Sequence, residues 1–195
     1  MKRIVILIIL VVLAGVAGVV VRSASMGELR GLVSHQDVGS AAKQVRRETY
    51  QLTPGARVEL IGLNGSVKIE TSDTKMADVQ IERSASSQEA LERRKVTVEA
   101  DANSLRIRAE KGDSGFWARL FGSSASEQVT LKLPRQISLY AKGVNGSFVT
   151  SDIDGPVEIA GVNGRVQIGS AVGRASFKGI NGNMVMKPLK AKAAA

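Results

Sequence analysis

From residue 46 onward the chain consists of short runs in which apolar and polar residues alternate. Alternation with a period of two is typical of β-strands that bury one face, so these runs predict strands. One segment, residues 87–93, is instead rich in helix formers and predicts a short helix. The predicted strands lie at residues 49–52, 57–61, 66–70, 79–82, 95–99, 105–108 and 129–133. The pattern therefore predicts an all-β domain.

A four-residue motif, Gly-(Leu/Val/Ile)-Asn-Gly, occurs at residues 62–65, 143–146, 161–164 and 179–182. Its last three copies are 18 residues apart, and a glycine recurs every nine residues from Gly146 to Gly182. Because Asn-Gly is typical of hairpins, an antiparallel meander or sandwich is one interpretation. Because the motif returns only in every second nine-residue unit, we predict instead a β-solenoid with 18-residue coils.

The solenoid leads to two expectations for the asparagines of the motif. Asn145, Asn163 and Asn181 would occupy left-handed backbone positions, which asparagine tolerates better than a β-branched residue does. Their side chains would stack at one position of successive coils and form hydrogen bonds along the column.

The N-terminal segment has a different character. Residues 4–21 carry no charged or polar side chain and follow Met1-Lys2-Arg3. As a helix they would span roughly 27 Å, close to the hydrocarbon thickness of a bilayer. The segment predicts a transmembrane helix, or alternatively a signal peptide cleaved near Ser23-Ala24-Ser25. In both cases the remainder of the chain lies outside the cytoplasm, either membrane-anchored or secreted.

These patterns divide the chain into four parts. Residues 1–22 form the transmembrane anchor or signal peptide, 23–45 a tether, 46–187 the β-repeat domain and 188–195 an Ala/Lys tail. Pro188 cannot donate to a strand ladder, and the neighbouring lysines Lys187, Lys190 and Lys192 repel a second copy. We therefore expect a monomer.

The motifs resemble those of the putative-adhesin family of bacterial envelope proteins, a family whose domain has no known function. The resemblance rests on Gly62-Leu63-Asn64-Gly65 followed by an alternating strand, on the later Gly-x-Asn-Gly copies, and on the alternating run 129–133 that ends at Pro134. It covers residues 48–187. It implies a β-solenoid in the cell envelope and supplies no catalytic residues.

Composition excludes several kinds of site. The chain has no cysteine, and its only histidine, His35, lies in the tether, which argues against zinc sites and Ser-His-Asp triads. Asp152 and Asp154 flank one turn, but calcium-binding repeats need an acidic residue in each turn. We predict no catalytic, cofactor-binding or metal-binding residues. The carboxylates that a glycosidase would require are Glu59, Glu70, Glu82 and Glu99, which occupy alternating strand positions and are expected to face solvent.

The net charge of +9 allows a basic surface that faces an anionic polymer. The basic residues do not cluster with aromatic residues, so no nucleic acid partner is expected. The segment 115–122, Gly-Phe-Trp-Ala-Arg-Leu-Phe-Gly, predicts a loop over one end of the core, or alternatively a contact with a membrane surface or partner.

Together these features predict a non-catalytic protein of the bacterial cell envelope. It would be held to the membrane by its N-terminal helix and would present an adhesin-like β-solenoid to an envelope protein or an anionic polymer. Two alternatives remain open: an accessory domain in envelope-stress signalling, and a polysaccharide-acting enzyme.

Overall fold

The computed structural model describes residues 10–12, 42–111 and 125–188, which form strands and one short helix. The strands are β1 Leu10–Val12, β2 Ala42–Gln51, β3 Ala56–Ile61, β4 Gly65–Ser72, β5 Met76–Ala85, β6 Arg94–Ala100, β7 Ser104–Lys111, β8 Ser126–Pro134, β9 Ile137–Lys142, β10 Phe148–Thr150, β11 Val157–Asn163, β12 Val166–Ile168, β13 Ala175–Asn181 and β14 Met184–Met186. The helix is α1 Gln88–Arg93.

The strands form two sheets. One has eight strands in the order β1-β2-β5-β8-β4-β10-β12-β14, and the other has six in the order β13-β11-β9-β3-β7-β6. The pairs β1–β2, β2–β5, β5–β8 and β6–β7 are antiparallel, whereas the remaining pairs among the described strands are parallel. Each sheet is therefore parallel from its C-terminal edge strand inward and antiparallel toward its opposite edge.

The main apolar core lies between the sheets, and a small second cluster of Ala85, Leu91 and Ala125 packs beside α1. Alternate residues of each strand face inward, as in Val58 and Leu60 on β3 and Val129 and Leu131 on β8, and all four are fully buried. Phe148 on β10 adds a large side chain to the same core. The alternation in the sequence thus corresponds to one buried and one solvent-facing side of each sheet.

The predicted β-solenoid is wrong as a fold class. The structure has two mixed sheets, and the 18-residue register holds only among the C-terminal strands, where Phe148 pairs with Val166 and Val166 with Met184. The physical reason lies between the first and second copies of the motif. That interval contains the long strands β5 and β8, which pair antiparallel with each other and interrupt any uniform coil.

The predicted N-terminal membrane helix is also corrected, and with it the proposed anchoring to a membrane. Leu10–Val12, inside the stretch that was expected to be helical, forms strand β1 and pairs antiparallel with β2. Valine and isoleucine favour strands because their branched side chains fit a pleated surface. No helix within residues 10–12, 42–111 and 125–188 is long and apolar enough to cross a bilayer.

Several other predictions fall outside the described residues. These are the remainder of the segment 1–22, most of the tether with His35, the segment 115–122 and the tail from residue 189. The short helix at residues 87–93 is confirmed as α1: the Ser87 hydroxyl caps its start by accepting a hydrogen bond from the Ala90 amide at 3.2 Å, and Leu91 is buried.

The expected column of asparagines is confirmed. The side-chain amide of Asn145 donates to Asn64 at 2.9 Å, that of Asn163 to Asn145 at 3.2 Å, and that of Asn181 to Asn163 at 3.2 Å. The expected left-handed conformation does not fit Asn163 and Asn181, because these two residues end strands β11 and β13. Glycines on either side of the asparagines take the positive φ angles instead, for example +63° at Gly161 and +144° at Gly164.

Candidate functional site

The most buried charges of the described chain lie at one end of the asparagine column. The Glu127 side chain is 0% exposed and accepts hydrogen bonds from the Arg94 guanidinium and, at 2.7 Å, from the Asn64 backbone amide. Arg94 also donates to the Gly62 carbonyl at 2.6 Å, and the Asn64 side chain donates to the Ala125 carbonyl at 2.9 Å. Both carboxylate oxygens are therefore occupied, and we assign this cluster to stability.

Arg83 lies beside this cluster and closes the end of α1. Its guanidinium donates to the backbone carbonyls of Leu91 and Arg94 and, at 2.7 Å, to the Gln44 side chain. A cation at a helix C-terminus interacts favourably with the exposed carbonyl groups. Burial lowers the pKa of Arg83, and the nearby charge of Glu127 opposes that shift. Its two terminal nitrogens donate to groups within the domain, and its Nε is buried, so we assign Arg83 to stability.

A second buried network lies on the inner side of β2. Glu48 accepts hydrogen bonds from Arg46 at 2.7 Å and from the Tyr50 hydroxyl at 2.6 Å. Burial raises the pKa of Tyr50, and its hydrogen bond to Glu48 raises it further. Tyr50 therefore keeps its proton throughout the physiological range, and the three side chains satisfy one another.

Asp152 and Asp154, the pair considered for calcium, lie around the guanidinium of Arg135. Carboxylate oxygens of Asp152, Asp154 and Asp73 are 4.0, 3.9 and 3.8 Å from it. One oxygen of Asp152 also accepts the Ser170 backbone amide at 2.9 Å. Arg135 thus already supplies the positive charge that these acidic residues face.

The four carboxylates at alternating positions lie on the outer surfaces of the sheets. Glu70 pairs with Lys68 at 2.7 Å and Glu82 with Lys43 at 3.0 Å on the eight-stranded sheet. Glu59 and Glu99 belong to the six-stranded sheet, where Arg106 lies between them. The structure therefore brings together only Glu59 and Glu99, through a shared arginine.

Glu59 is held by two arginines. Arg57 donates to one of its oxygens at 2.5 Å and Arg106 to the other at 2.6 Å. Partial burial raises the pKa of Glu59, but the hydrogen bonds from Arg106 and Arg57 outweigh that effect, so the pKa lies below its ordinary value of 4.5. Glu59 is therefore a permanent anion at neutral pH and is unsuited to act as a general acid.

A shallow depression lies beside this ion pair on the outer face of the six-stranded sheet. It has a volume of about 100 Å³ and is lined by residues of β3, β9, β11 and β13, together with the two residues that precede β11 and β13. We call it the Tyr140 depression. Its polar lining consists of Arg57, Ser138, Tyr140, Glu158, Arg174 and Ser176.

The register of the strands explains the shape of the Tyr140 depression. Arg57 lies beside Ser138, and Tyr140 lies beside Glu158, which in turn lies beside Ser176. Small residues thus form the floor between longer side chains. The backbones of β3 and β13 are three strand spacings apart, roughly 14 Å, so the depression is an open surface that suits an extended ligand.

The two arginines of the depression differ in their environment. The Arg57 guanidinium is fixed, because it bonds to Glu59 and its central carbon lies 5.2 Å from the centre of the Tyr140 ring. The Arg174 side chain forms no hydrogen bond or ion pair with any residue that the structure describes. A free guanidinium opposite a fixed one can bind carboxylate or sulfate groups through paired N–H donors.

Sequence reasoning missed Arg57, Tyr140 and Arg174. The 18-residue spacing could have predicted part of the depression, because residues 18 apart lie side by side on neighbouring strands. It places Arg174 in the same row as Ser138 and residue 156, and Tyr140 in the same row as Glu158 and Ser176. The position of Arg57 could not be obtained from it, because β3 joins β9 across a long interval of sequence.

Replacing Glu59 by glutamine is expected to destabilise the domain by about 1 kcal/mol at pH 7, because an ion pair with two arginines is lost. Since the folded-state pKa lies below 4.5, this stabilisation is present above pH 4.5 and disappears as pH falls through the folded-state value. Urea unfolding at several pH values measures it. Glu110→Gln, at an exposed position on β7, serves as the control. A Glu59→Gln deficit that persists unchanged at pH 3 would contradict the assignment.

No protein-family model matches the chain, and no curated protein matches it. Solved structures are similar to it at low identity. A crystal structure of a putative adhesin from Parabacteroides merdae ATCC 43184 shares 14% identity at a TM-score of 0.45, over 75% of this chain and 57% of that one. A putative lipid binding protein from Parabacteroides distasonis ATCC 8503 shares 15% identity at a TM-score of 0.44, over 76% and 59%.

A third structure, a putative cell adhesion protein from Clostridium sporogenes ATCC 15579, shares 10% identity at a TM-score of 0.30, over 76% of this chain and all of that one. The chain spans less than two thirds of the length of the first two structures.

Proposed function

We propose that this protein is a non-catalytic binding module of the bacterial cell surface, and that it binds an acidic polysaccharide along the outer face of its six-stranded sheet. The observation that carries the proposal is the Tyr140 depression, whose lining includes both an unpaired Arg174 and an Arg57 that is fixed by Glu59 and Tyr140. Glu59 and Tyr140 hold the Arg57 guanidinium in place, so little of its conformational entropy is lost on binding.

The open shape of the depression favours a polymer over a small molecule. Ligand pockets for small molecules enclose most of their ligand in a cleft of at least 300 Å³, whereas the Tyr140 depression holds about 100 Å³. A chain of sugars that carries a carboxylate on each unit can contact Arg57 and Arg174 at once. Serine hydroxyls and the Glu158 carboxylate are available to bond to neutral sugar hydroxyls.

The test is calorimetric titration of the full chain with oligogalacturonate, with an uncharged oligosaccharide of equal length and with inorganic sulfate. We expect oligogalacturonate to bind and Arg174→Ala to weaken it at least five-fold. Arg165→Ala is the matched control, because Arg165 is also an exposed arginine but precedes β12 on the other sheet. Equal binding by both variants would contradict the proposal. If inorganic sulfate bound as tightly as oligogalacturonate, the depression would be a general anion site.

The same titration separates the binding module from the polysaccharide-acting enzyme. Glu59, beside the depression, is held as an anion by two arginines and is unsuited to donate a proton to a glycosidic oxygen. The lining itself contributes a single carboxylate, Glu158, whereas glycoside hydrolysis uses a pair. We therefore expect oligogalacturonate recovered after prolonged incubation to have its original length. The appearance of new reducing ends that Arg174→Ala abolishes would establish an enzyme instead.

Location at the cell surface is a separate part of the proposal. Its support is the uncharged stretch 4–21 behind Lys2 and Arg3, which is typical of exported chains. A C-terminal alkaline phosphatase fusion is expected to be active in a bacterial host. An inactive fusion, together with an active cytoplasmic reporter at the same position, would overturn this part.

A further inference from the structure

The strands β13 and β14 end their sheets at the same end of the molecule. Each pairs with one neighbour only, β13 with β11 and β14 with β12, among the strands that the structure describes. We call residues 174–187, which contain both strands, the C-terminal edge. Strand edges of this kind carry unused N–H and C=O groups and accept further strands.

The backbone of β13 presents alternate residues to this edge. The Val157 amide of β11 donates to the Arg174 carbonyl at 2.9 Å. In a parallel ladder successive residues turn their hydrogen-bonding groups to opposite sides. The N–H and C=O of Ala175 and Phe177 therefore point away from β11, toward the open side.

The inward-facing residues of the C-terminal edge are incompletely covered. Ile159 and Ile168 in the preceding strands are buried, whereas the equivalent Phe177 and Met186 are only half-buried. On β14, Met184 is 36% exposed and Val185 62% exposed. A strand added here would bury apolar surface as well as pair its backbone.

The charge of the C-terminal edge limits which strands can pair with it. Residues 169–188 contain Arg174, Lys178 and Lys187 and no aspartate or glutamate. If a second copy docked through the same edge, its three positive charges would lie against the three of the first copy and repel them. The oxygen of the Asn181 side chain, at the end of the asparagine column, accepts no hydrogen bond from a described residue.

We propose that the C-terminal edge binds an extended segment of a partner protein in which acidic and apolar residues alternate. The segment pairs with β13 as an added strand, places its apolar residues over Phe177 and its acidic residues beside Lys178, and extends the sheet by one strand. This edge adjoins the Tyr140 depression and shares Arg174 and Ser176 with it. The added strand would pair with the open backbone side of β13, so the inference does not depend on the polysaccharide proposal.

The experiment uses the full chain and a fluorescein-labelled eight-residue peptide of alternating valine and glutamate, measured by fluorescence anisotropy at 50 mM NaCl. We expect saturable binding, and none for the valine–lysine peptide. Ala175→Pro removes an amide that no ladder uses and should reduce affinity at least ten-fold. Lys178→Glu, on the outer face, should reduce it at least five-fold. Melting curves establish that both variants are folded.

Three results would overturn the inference. The valine–glutamate peptide could fail to bind the wild-type chain. It could bind both variants as tightly as wild type, which would place it elsewhere. Sedimentation could show a wild-type dimer that Ala175→Pro dissociates, in which case a second copy occupies the edge. If Ala175→Pro does not fold, the affinity of Lys178→Glu for the valine–glutamate peptide decides. An affinity equal to that of the wild type would overturn the proposal.

Discussion

Arg94→Ala is expected to destabilise the domain by about 3–5 kcal/mol, because it leaves a buried carboxylate without its cation. The Glu127 side chain is fully buried and keeps only the Asn64 amide as a donor once Arg94 is removed. The Gly62 carbonyl loses its partner in the same variant. Urea unfolding at pH 7 measures the loss as a shift of the midpoint at constant slope.

Two further variants make this result specific. Arg108→Ala removes an exposed arginine from the neighbouring strand β7 and should cost less than about 0.5 kcal/mol. The double variant Arg94→Leu/Glu127→Leu removes both charges and should be more stable than Arg94→Ala alone. If Arg94→Ala is no worse than Arg108→Ala, the ion pair does not hold this end of the asparagine column.

Gly164→Ala should cost at least about 3 kcal/mol, for a steric reason. Gly164 has a φ of +144°, and a Cβ atom there would lie 2.1 Å from the backbone carbonyl oxygen of Gly146. The obstacle is backbone in a parallel ladder, so it cannot be relieved by rotating a side chain. Strain at the residue and displacement of the neighbouring strand therefore add.

Gly173→Ala is the matched control for this prediction. Gly173 also has a positive φ, +92°, but a Cβ atom there would meet nothing within 4 Å. It should therefore cost only the backbone strain, about 1–2 kcal/mol. Thermal melts of the two variants separate the cost of the close contact between strands from the cost of the backbone conformation alone. Equal losses would show that the contact between neighbouring strands is not what requires glycine at position 164.

Local pattern predicted the strands well, because alternation records directly which side of a strand is buried. The run 57–61 lies within β3, and the run 129–133 lies within β8. The asparagine column was also predictable, since the motif spacing fixes which side chains stack. The order of the strands was not, because nothing in the runs 79–82 and 129–133 indicates that they pair antiparallel.

The N-terminal stretch shows a second kind of ambiguity. A long run of isoleucine, leucine and valine has no periodicity, so hydrophobicity alone cannot separate a membrane helix from a strand. For the Tyr140 depression the missing information was long-range register: Arg57 and Tyr140 are 83 residues apart, and only the pairing of β3 with β9 brings them together.

The pairing of β3 and β4 with distant strands also governs the order of folding. The asparagine contact beside them joins residues 81 apart, and domains rich in such distant pairings fold on the millisecond-to-second scale. A ribosome adds roughly 5–20 residues per second. The strands β3 and β4 are therefore synthesised several seconds before their partners β9 and β10. Until then their edges are exposed, which makes the nascent chain a natural client of chaperones that shield unpaired strands.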